Sequence, residues 1–321
     1  MKKFAAAILF FMLIFSCIGD LSAQLAVSMR ITQLNYLPFE PIFVRVAIRN
    51  FSAHAVAFGK TDKLKGGLRF EIEPDSDRSK RMVQPLNPDN LPPLIGSIIP
   101  PGATQEYTFN LCDYYDMRTV GKYCIRAVVS HGLFRDEYLS NPTYVSVVRG
   151  VTLWKMPVGV PDLTNNKAEN KKVEQRQYSL ISYSTGKAQV LNLKIEDENN
   201  VYANRRVAFD LGPEFKPQLQ VDFLSRLHMI VAASNRVYAY YVFTLDGKLD
   251  QRKILIKVAG VPMLVSDPKN GYVTVAGGRE AVPDQDYEEI RDLPFLGVKG
   301  SGAAGRLPMK DRTKSLDAVQ E

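Results

Sequence analysis

Histidine, cysteine and tryptophan are scarce in this chain of 321 residues, at three, three and one. His54, His131 and His228 stand far apart, and no Cys or His spacing supplies the three or four convergent ligands of a zinc site. No Gly-x-Ser-x-Gly elbow marks a nucleophile, and no glycine-rich phosphate cradle leads into a helix. Ala276-Gly277-Gly278 runs into Arg279-Glu280, which reads as a turn. Basic residues at Lys167, Lys171 and Lys172, and at Lys310, Arg312 and Lys314, are interleaved with acids or asparagines. Without a concentrated basic stripe carrying stacking aromatics, nucleic acid is not an expected partner. No apolar run beyond residue 23 approaches the roughly 20 residues of a membrane span. These absences leave no cofactor or metal to expect, and the chain reads as a non-enzyme. One rival class survives them: glycoside hydrolysis needs only two carboxyls, and Asp210, Glu214 and Asp222 fall in neighbouring loops.

What is present is apolar material in short portions. Hydrophobic residues make up 45% of the chain and charged residues 23%, enough for one large or two modest cores. Lys2 and Lys3, the apolar run Phe4 to Phe15 and Leu21-Ser22-Ala23 before Gln24 have the three-part form of an export signal. Its removal lowers the formal charge from +7 to +6, leaving 39 basic and 33 acidic residues. Cys17, in Ile14-Phe15-Ser16-Cys17, is a candidate for lipidation and hence for a lipid anchor, in competition with cleavage after Ala23. The expected location is periplasmic or extracellular, tethered to the envelope only where Cys17 rather than Ala23 marks the cleavage site.

Past the signal, residues alternate. Leu25, Val27, Met29 and Ile31 share one face, as do Ile42, Val44, Val46 and Ile48, then Leu68, Phe70 and Ile72. Turn formers at Pro38, Pro41, Gly66-Gly67, Pro74-Asp75 and Pro100-Pro101-Gly102 separate them. Tyr107, Phe109 and Leu111, then Ile125, Ala127 and Val129, then Tyr144 to Val148 complete a set of half-buried strands, which predicts a two-sheet sandwich. On this pattern, and on Gly121-Lys122-Tyr123 placed like a tyrosine corner, Leu25 to Val148 resembles the immunoglobulin-like domains of exported bacterial proteins. Phe39-Glu40-Pro41-Ile42 followed by Asn50-Phe51-Ser52 is also similar to the small proteinase-inhibitor family of the Bacillus intracellular type. That likeness implies proteinase inhibition but marks no reactive loop; an inhibitor would need one exposed, extended loop, for which Tyr114 to Val120 is the candidate.

Apolar periodicity vanishes from Lys155 to Gln177, which predicts a linker over 151–177. A repeat follows. Tyr178–Ser184, Ala188–Glu196 and Val201–Phe209 form one three-strand meander; Leu227–Ala233, Val237–Leu245 and Leu249–Val258 form a second, offset by 48 or 49 residues. A partial third begins at Tyr272, with Leu219, Asp222 and Leu227 echoed 45 residues later by Leu264, Asp267 and Tyr272. This period resembles β-propeller blades, yet two and a half copies cannot close a ring of at least about four. Tyr238, Tyr240 and Val242 on one face and Ala239, Tyr241 and Phe243 on the other make both sides of the second copy apolar. Stacked small sheets with the second copy in the middle are therefore expected, their open ends capped by the first domain, the tail or another chain.

The predicted organisation is all-β: signal 1–23, immunoglobulin-like sandwich 24–150, linker 151–177, β-meander repeat domain 178–283 and flexible tail 284–321. Export favours a disulfide between Cys112 and Cys124, adding about 3 kcal/mol. Strand parity opposes it, since both fall out of step with the inward residues, and bridge and separate thiols stay open. Tyr114 and Tyr115, between two aspartates, and His131, beside Gly132, are the expected contacts to a partner, either a protein or an envelope polysaccharide. The expected function is a non-enzymatic binding or structural module of the bacterial envelope. A proteinase inhibitor and a carboxylate hydrolase are the alternatives.

Overall fold

The computed structural model describes residues 24–75, 81–89, 92–161, 173–282 and 286. Among them the fold is all-β, with open antiparallel sheets, no closed barrel, and a single 3-10 turn at Leu111–Asp113. The described residues up to Thr32, with Ile42–Asp116 and Lys122–Val145, form one compact unit. Gln33–Pro41, Met117–Gly121 and the described residues from Ser146 onward form the other. Two short segments inside the expected sandwich therefore go with the second unit.

The strands before the 3-10 turn are β1 (Leu25–Ile31), β2 (Asn35–Tyr36), β3 (Phe43–Asn50), β4 (Val56–Ala57), β5 (Gly66–Pro74), β6 (Ile98–Ile99) and β7 (Thr104–Asn110). After it come β8 (Gly121–His131), β9 (Tyr138–Leu139) and β10 (Thr143–Val147). In the first unit one sheet has the order β1-β3-β7, and β5 pairs with β8 in another. Alternation dictates which side is dry: Val44, Val46 and Ile48 are buried along β3, and Leu68, Phe70 and Ile72 along β5. The two sheets meet through Phe70 and Phe109, whose rings are 6.5 Å apart and edge-to-face.

The second unit is a stack. Its first sheet runs β11 (Val151–Pro161), β12 (Val173–Ser184), β13 (Gln189–Glu196) and β14 (Val201–Phe209). Its second runs β15 (Gln218–Val221), β16 (Leu227–Ala232), β17 (Val237–Phe243), β18 (Leu249–Ile256) and, after the hairpin β19 (Met263–Ser266) and β20 (Val273–Ala276), the short β21 (Arg279–Glu280). Leu180, Leu193 and Ile195 of the first sheet form one core with Leu227, Met229, Ala239, Tyr241 and Phe243 of the second. On the second sheet's other side, Ile230, Tyr238, Tyr240 and Val242 pack with Leu264 and Val273 of the hairpin. The middle sheet is thus buried on both faces, as its doubly apolar strand β17 requires. Gln218 and Gln220 of β15 clip the hairpin on: Gln218 accepts from the Leu264 amide at 3.0 Å and donates to the Pro262 carbonyl at 2.9 Å, and Gln220 accepts from the Ser266 hydroxyl at 2.8 Å.

The stretch 151–177, expected as a linker, carries strand at both ends. β11 lies along β12 from Val151↔Ser182 to Pro161↔Val173. It is an edge strand, where prolines such as Pro157 cost no ladder bond, so its prolines and exposed residues mimicked a linker. Trp154, the chain's single tryptophan, packs half-buried against the core of this stack. The expected signal and Cys17 lie outside the described residues, as does the tail apart from Asp286.

A candidate binding surface at the Phe39 turn

Leu37-Pro38-Phe39-Glu40 form a tight turn in which the Glu40 amide donates to the Leu37 carbonyl at 3.1 Å. Pro38 fixes the first corner, and Phe39 takes the second with φ +67°. That is the type II pattern, whose second corner normally demands glycine or asparagine. A β-carbon there costs on the order of 1–2 kcal/mol. Phe39 nonetheless keeps 43% of its surface exposed.

Its neighbour Glu40 points the opposite way and is 5% exposed. The carboxylate accepts from the Leu37 amide at 2.8 Å and from the Tyr183 hydroxyl at 2.7 Å, and pairs with the Arg206 guanidinium. Arg206 Nε in turn donates to the Tyr183 oxygen at 2.7 Å. Burial pushes the Glu40 carboxyl up, opposed by the Arg206 charge and by these hydrogen bonds. Burial and the adjacent Glu40 charge push the Tyr183 phenol up as well, so it stays a donor. Asn204 adds a bond to the Pro38 carbonyl at 2.7 Å, and Leu37 packs with Tyr183 and Val190. Glu40, Arg206 and Tyr183 thus seat the Gln33–Pro41 segment on the outer side of β12–β14.

Two cations flank the displayed ring: Arg118 Cζ is 5.3 Å and Lys194 Nζ 5.5 Å from the Phe39 centroid. An anchored turn with a displayed aromatic edge between positive charges can bind.

Ser225, at φ +61°, is the other non-glycine residue in this backbone region among those described. It also stands beside a buried carboxylate. Asp222 accepts from the Arg226 side chain at 2.7 and 2.8 Å and from His228 Nε2 at 3.2 Å, while His228 Nδ1 lies 2.7 Å from the Tyr240 hydroxyl. Asp222 and His228 are 5% and 4% exposed, so this chain of groups locks the β15–β16 turn from within. Burial acts to raise the Asp222 carboxyl, but hydrogen bonds from the Arg226 amide, His228 and the Arg226 side chain, with the Arg226 charge, outweigh it and hold it low.

The expected contact residues are mostly inward. Tyr115 is 1% exposed, its hydroxyl accepting from the Phe70 amide at 2.9 Å and its ring edge-on to Phe70. Tyr114 is half-buried against Phe109. His131 is 4% exposed: Nδ1 accepts from the Leu133 amide at 3.2 Å, so Nε2 carries the proton given to the Ala57 carbonyl at 2.9 Å, and Phe58 closes over the ring. Flanking aspartates and a glycine suggested exposure, but the Tyr115 hydroxyl and His131 Nε2 meet backbone groups 45 and 74 residues away in sequence, respectively. Cys112 and Cys124 are both thiols. Cys124 lies between buried Tyr123 and Ile125 on the opposite strand face, the parity that opposes the bridge. Asp210, Glu214 and Asp222 do different work: Asp210 accepts from Ser182, Glu214 is exposed, and Asp222 belongs to the buried lock. Among the described residues no group of three His, Cys, Asp or Glu is placed to hold a metal, and no helix is long and apolar enough to cross a membrane.

The residues that build the Phe39 surface were not legible as a site. Pro38-Phe39 offered one local signal, a proline corner followed by a residue other than glycine. Glu40, Tyr183 and Arg206 are brought together only by the fold.

No family model matches the chain, and no curated protein matches it significantly. Among solved structures, the crystal structure of Spo0M, a sporulation control protein from Bacillus subtilis, is similar at 12% identity and a TM-score of 0.26, covering 55% of this chain and 80% of that one. A likeness that distant carries no argument about this chain.

Proposed function

We propose that this chain is an exported, non-enzymatic binding module of the bacterial cell envelope, with an immunoglobulin-like sandwich ahead of propeller-like meanders and the Phe39 turn as its contact surface. One observation carries the reading: a phenylalanine occupies a backbone position that suits glycine, and a buried ion pair holds it there with its ring displayed. Strain retained at an exposed side chain is accounted for when that side chain is needed. Co-sedimentation with an isolated envelope fraction tests this. The full chain is expected to pellet, Phe39→Gly to remain in solution, and Leu139→Ser, altering another exposed apolar residue, to pellet normally. Equal pelleting of wild type and Phe39→Gly overturns the assignment of the surface.

A second reading, proteinase inhibition, is supported by Arg118, Thr119 and Val120, which are exposed and follow buried Met117. Stoichiometric inhibition of a protease cleaving after basic residues, lost in Arg118→Ala, is its expected signature. The positive φ of Phe39 argues against that residue entering a protease as an extended substrate.

A further inference from the structure

We infer that one end of the first unit carries a weak docking surface for an anionic lipid bilayer. Three loops meet there: 58–65 between β4 and β5, 94–97 leading into β6, and 132–134 after β8. Main-chain bonds lace them together. The Phe58 amide donates to the Ser97 carbonyl at 2.9 Å, the Gly96 amide to the Phe58 carbonyl at 2.8 Å, and the Gly132 amide to the Lys65 carbonyl at 2.7 Å. The first and third loops pack so closely that a β-carbon on Gly132 would stand 2.2 Å from the Asp62 carbonyl oxygen.

What these loops show to solvent is apolar at the tips and basic beside them. The Ser97 amide donates to the Leu94 carbonyl at 3.0 Å and Gly96 takes φ +90°, a type II turn that sets Ile95 on its first corner, 59% exposed. In β6 Ile99 is buried, so alternation turns Ile98 outward, 63% exposed, and Leu133 is 53% exposed. Lys60, Lys63 and Lys65 are exposed on the first loop against one acid, Asp62. The second loop carries no charge; Arg135, Asp136 and Glu137 follow the third, with Glu137 paired to Arg69. At the other end of the β5–β8 pair, Glu73 and Asp75 stand beside Lys122, so the excess of positive charge is on the apolar end.

Charge complementarity selects the occupant. Anionic headgroups overlying acyl chains engage the lysines and the apolar tips together. A soluble polyanion would leave the isoleucines in water, and an apolar protein face would leave the lysines unused. A contact of this size is weak, as a single acyl chain is, so it adds to the Phe39 contact without replacing it and shows at low ionic strength. It goes beyond the reading of the Phe39 turn, which belongs to the other unit.

An environment-sensitive fluorescent amino acid at position 98 of the full chain tests the inference. With vesicles of phosphatidylglycerol and phosphatidylcholine in equal parts, at low ionic strength, its emission is expected to shift to the blue. Phosphatidylcholine alone is expected to give no shift, and salt at about 0.5 M to reverse the one seen. A probe at exposed Met82, beside the far end of β5, is expected to stay unshifted with both. Joint Lys60→Glu and Lys63→Glu substitution is expected to raise the lipid concentration for half-response about tenfold or more while keeping the parent's thermal transition. Ile95→Ser is expected to raise it as well. Phe39→Gly leaves the response unchanged, so failure of the Phe39 surface and failure of this one are read separately. No shift at position 98, an equal shift with neutral vesicles, or a shift that the charge reversals do not weaken overturns the inference. So does a response that Ile95→Ser leaves intact, which would mark a soluble polyanion or an acidic protein as the partner instead.

Discussion

The Tyr183 hydroxyl donates to the Glu40 carboxylate at 2.7 Å across 143 residues of sequence. With Arg206, that bond turns a passing loop into a fixed platform. The aromatic ring one residue earlier is thereby held at a backbone position that sterics disfavour.

Removing the anchor should be expensive. Glu40→Ala leaves the Arg206 guanidinium, 9% exposed, without its counter-ion, a loss expected to cost about 3–5 kcal/mol. Tyr183→Phe deletes one donor and is expected to cost about 1–2 kcal/mol. Urea denaturation reads both. A cost below 1 kcal/mol for Glu40→Ala contradicts the anchor.

Phe39→Gly should behave unlike an ordinary phenylalanine truncation. Relief of about 1–2 kcal/mol of backbone strain offsets the lost ring contacts. Stability is therefore expected to be unchanged or raised by up to about 1 kcal/mol, against the 3–5 kcal/mol typical of a buried phenylalanine. A loss above 2 kcal/mol would make the ring a structural element instead.

His228 gives stability a pH dependence of known sign. Burial lowers its imidazole, and the Arg226 charge adds to this against the opposing Asp222 hydrogen bond and charge, so the folded value lies below the ordinary 6.5. The unfolded chain then binds the proton more readily. Its contribution is present above pH 6.5 and is lost as pH falls from there through the folded value. Asp222, held below 3.8, adds a second loss at more acid pH. Denaturation midpoints measured from pH 8 to 5 should be flat and then fall, and the fall should shrink in His228→Gln.

Tyr241 offers a gain. Its hydroxyl lies fully buried between the two sheets with no hydrogen-bond partner among the described residues. Since an unsatisfied buried group costs about 1–3 kcal/mol, Tyr241→Phe is expected to raise stability by about 1 kcal/mol in thermal unfolding. A loss of similar size would show that the hydroxyl is satisfied.

Side-chain alternation is a local property, and what depends on it was readable. Strands β3, β5 and β13 fall where their apolar residues recur every second position, and the two dry faces of β17 placed its sheet mid-stack. β11 was hidden because Pro157 and Pro161 break the pattern that an edge strand tolerates. Tyr115 and His131 were misjudged because charged or glycine neighbours say nothing about the backbone groups that satisfy a phenol or an imidazole. The Phe39 platform was invisible for a different reason: Glu40, Tyr183 and Arg206 acquire meaning only from contacts spanning more than a hundred residues.

Site-specific photo-crosslinking with a benzophenone amino acid at position 39, in cells making the full chain, tests the central claim most directly. A discrete adduct from position 39, absent when the same probe is placed at exposed Leu139, is the predicted result. Equal labelling from both positions, or none from position 39, would contradict it.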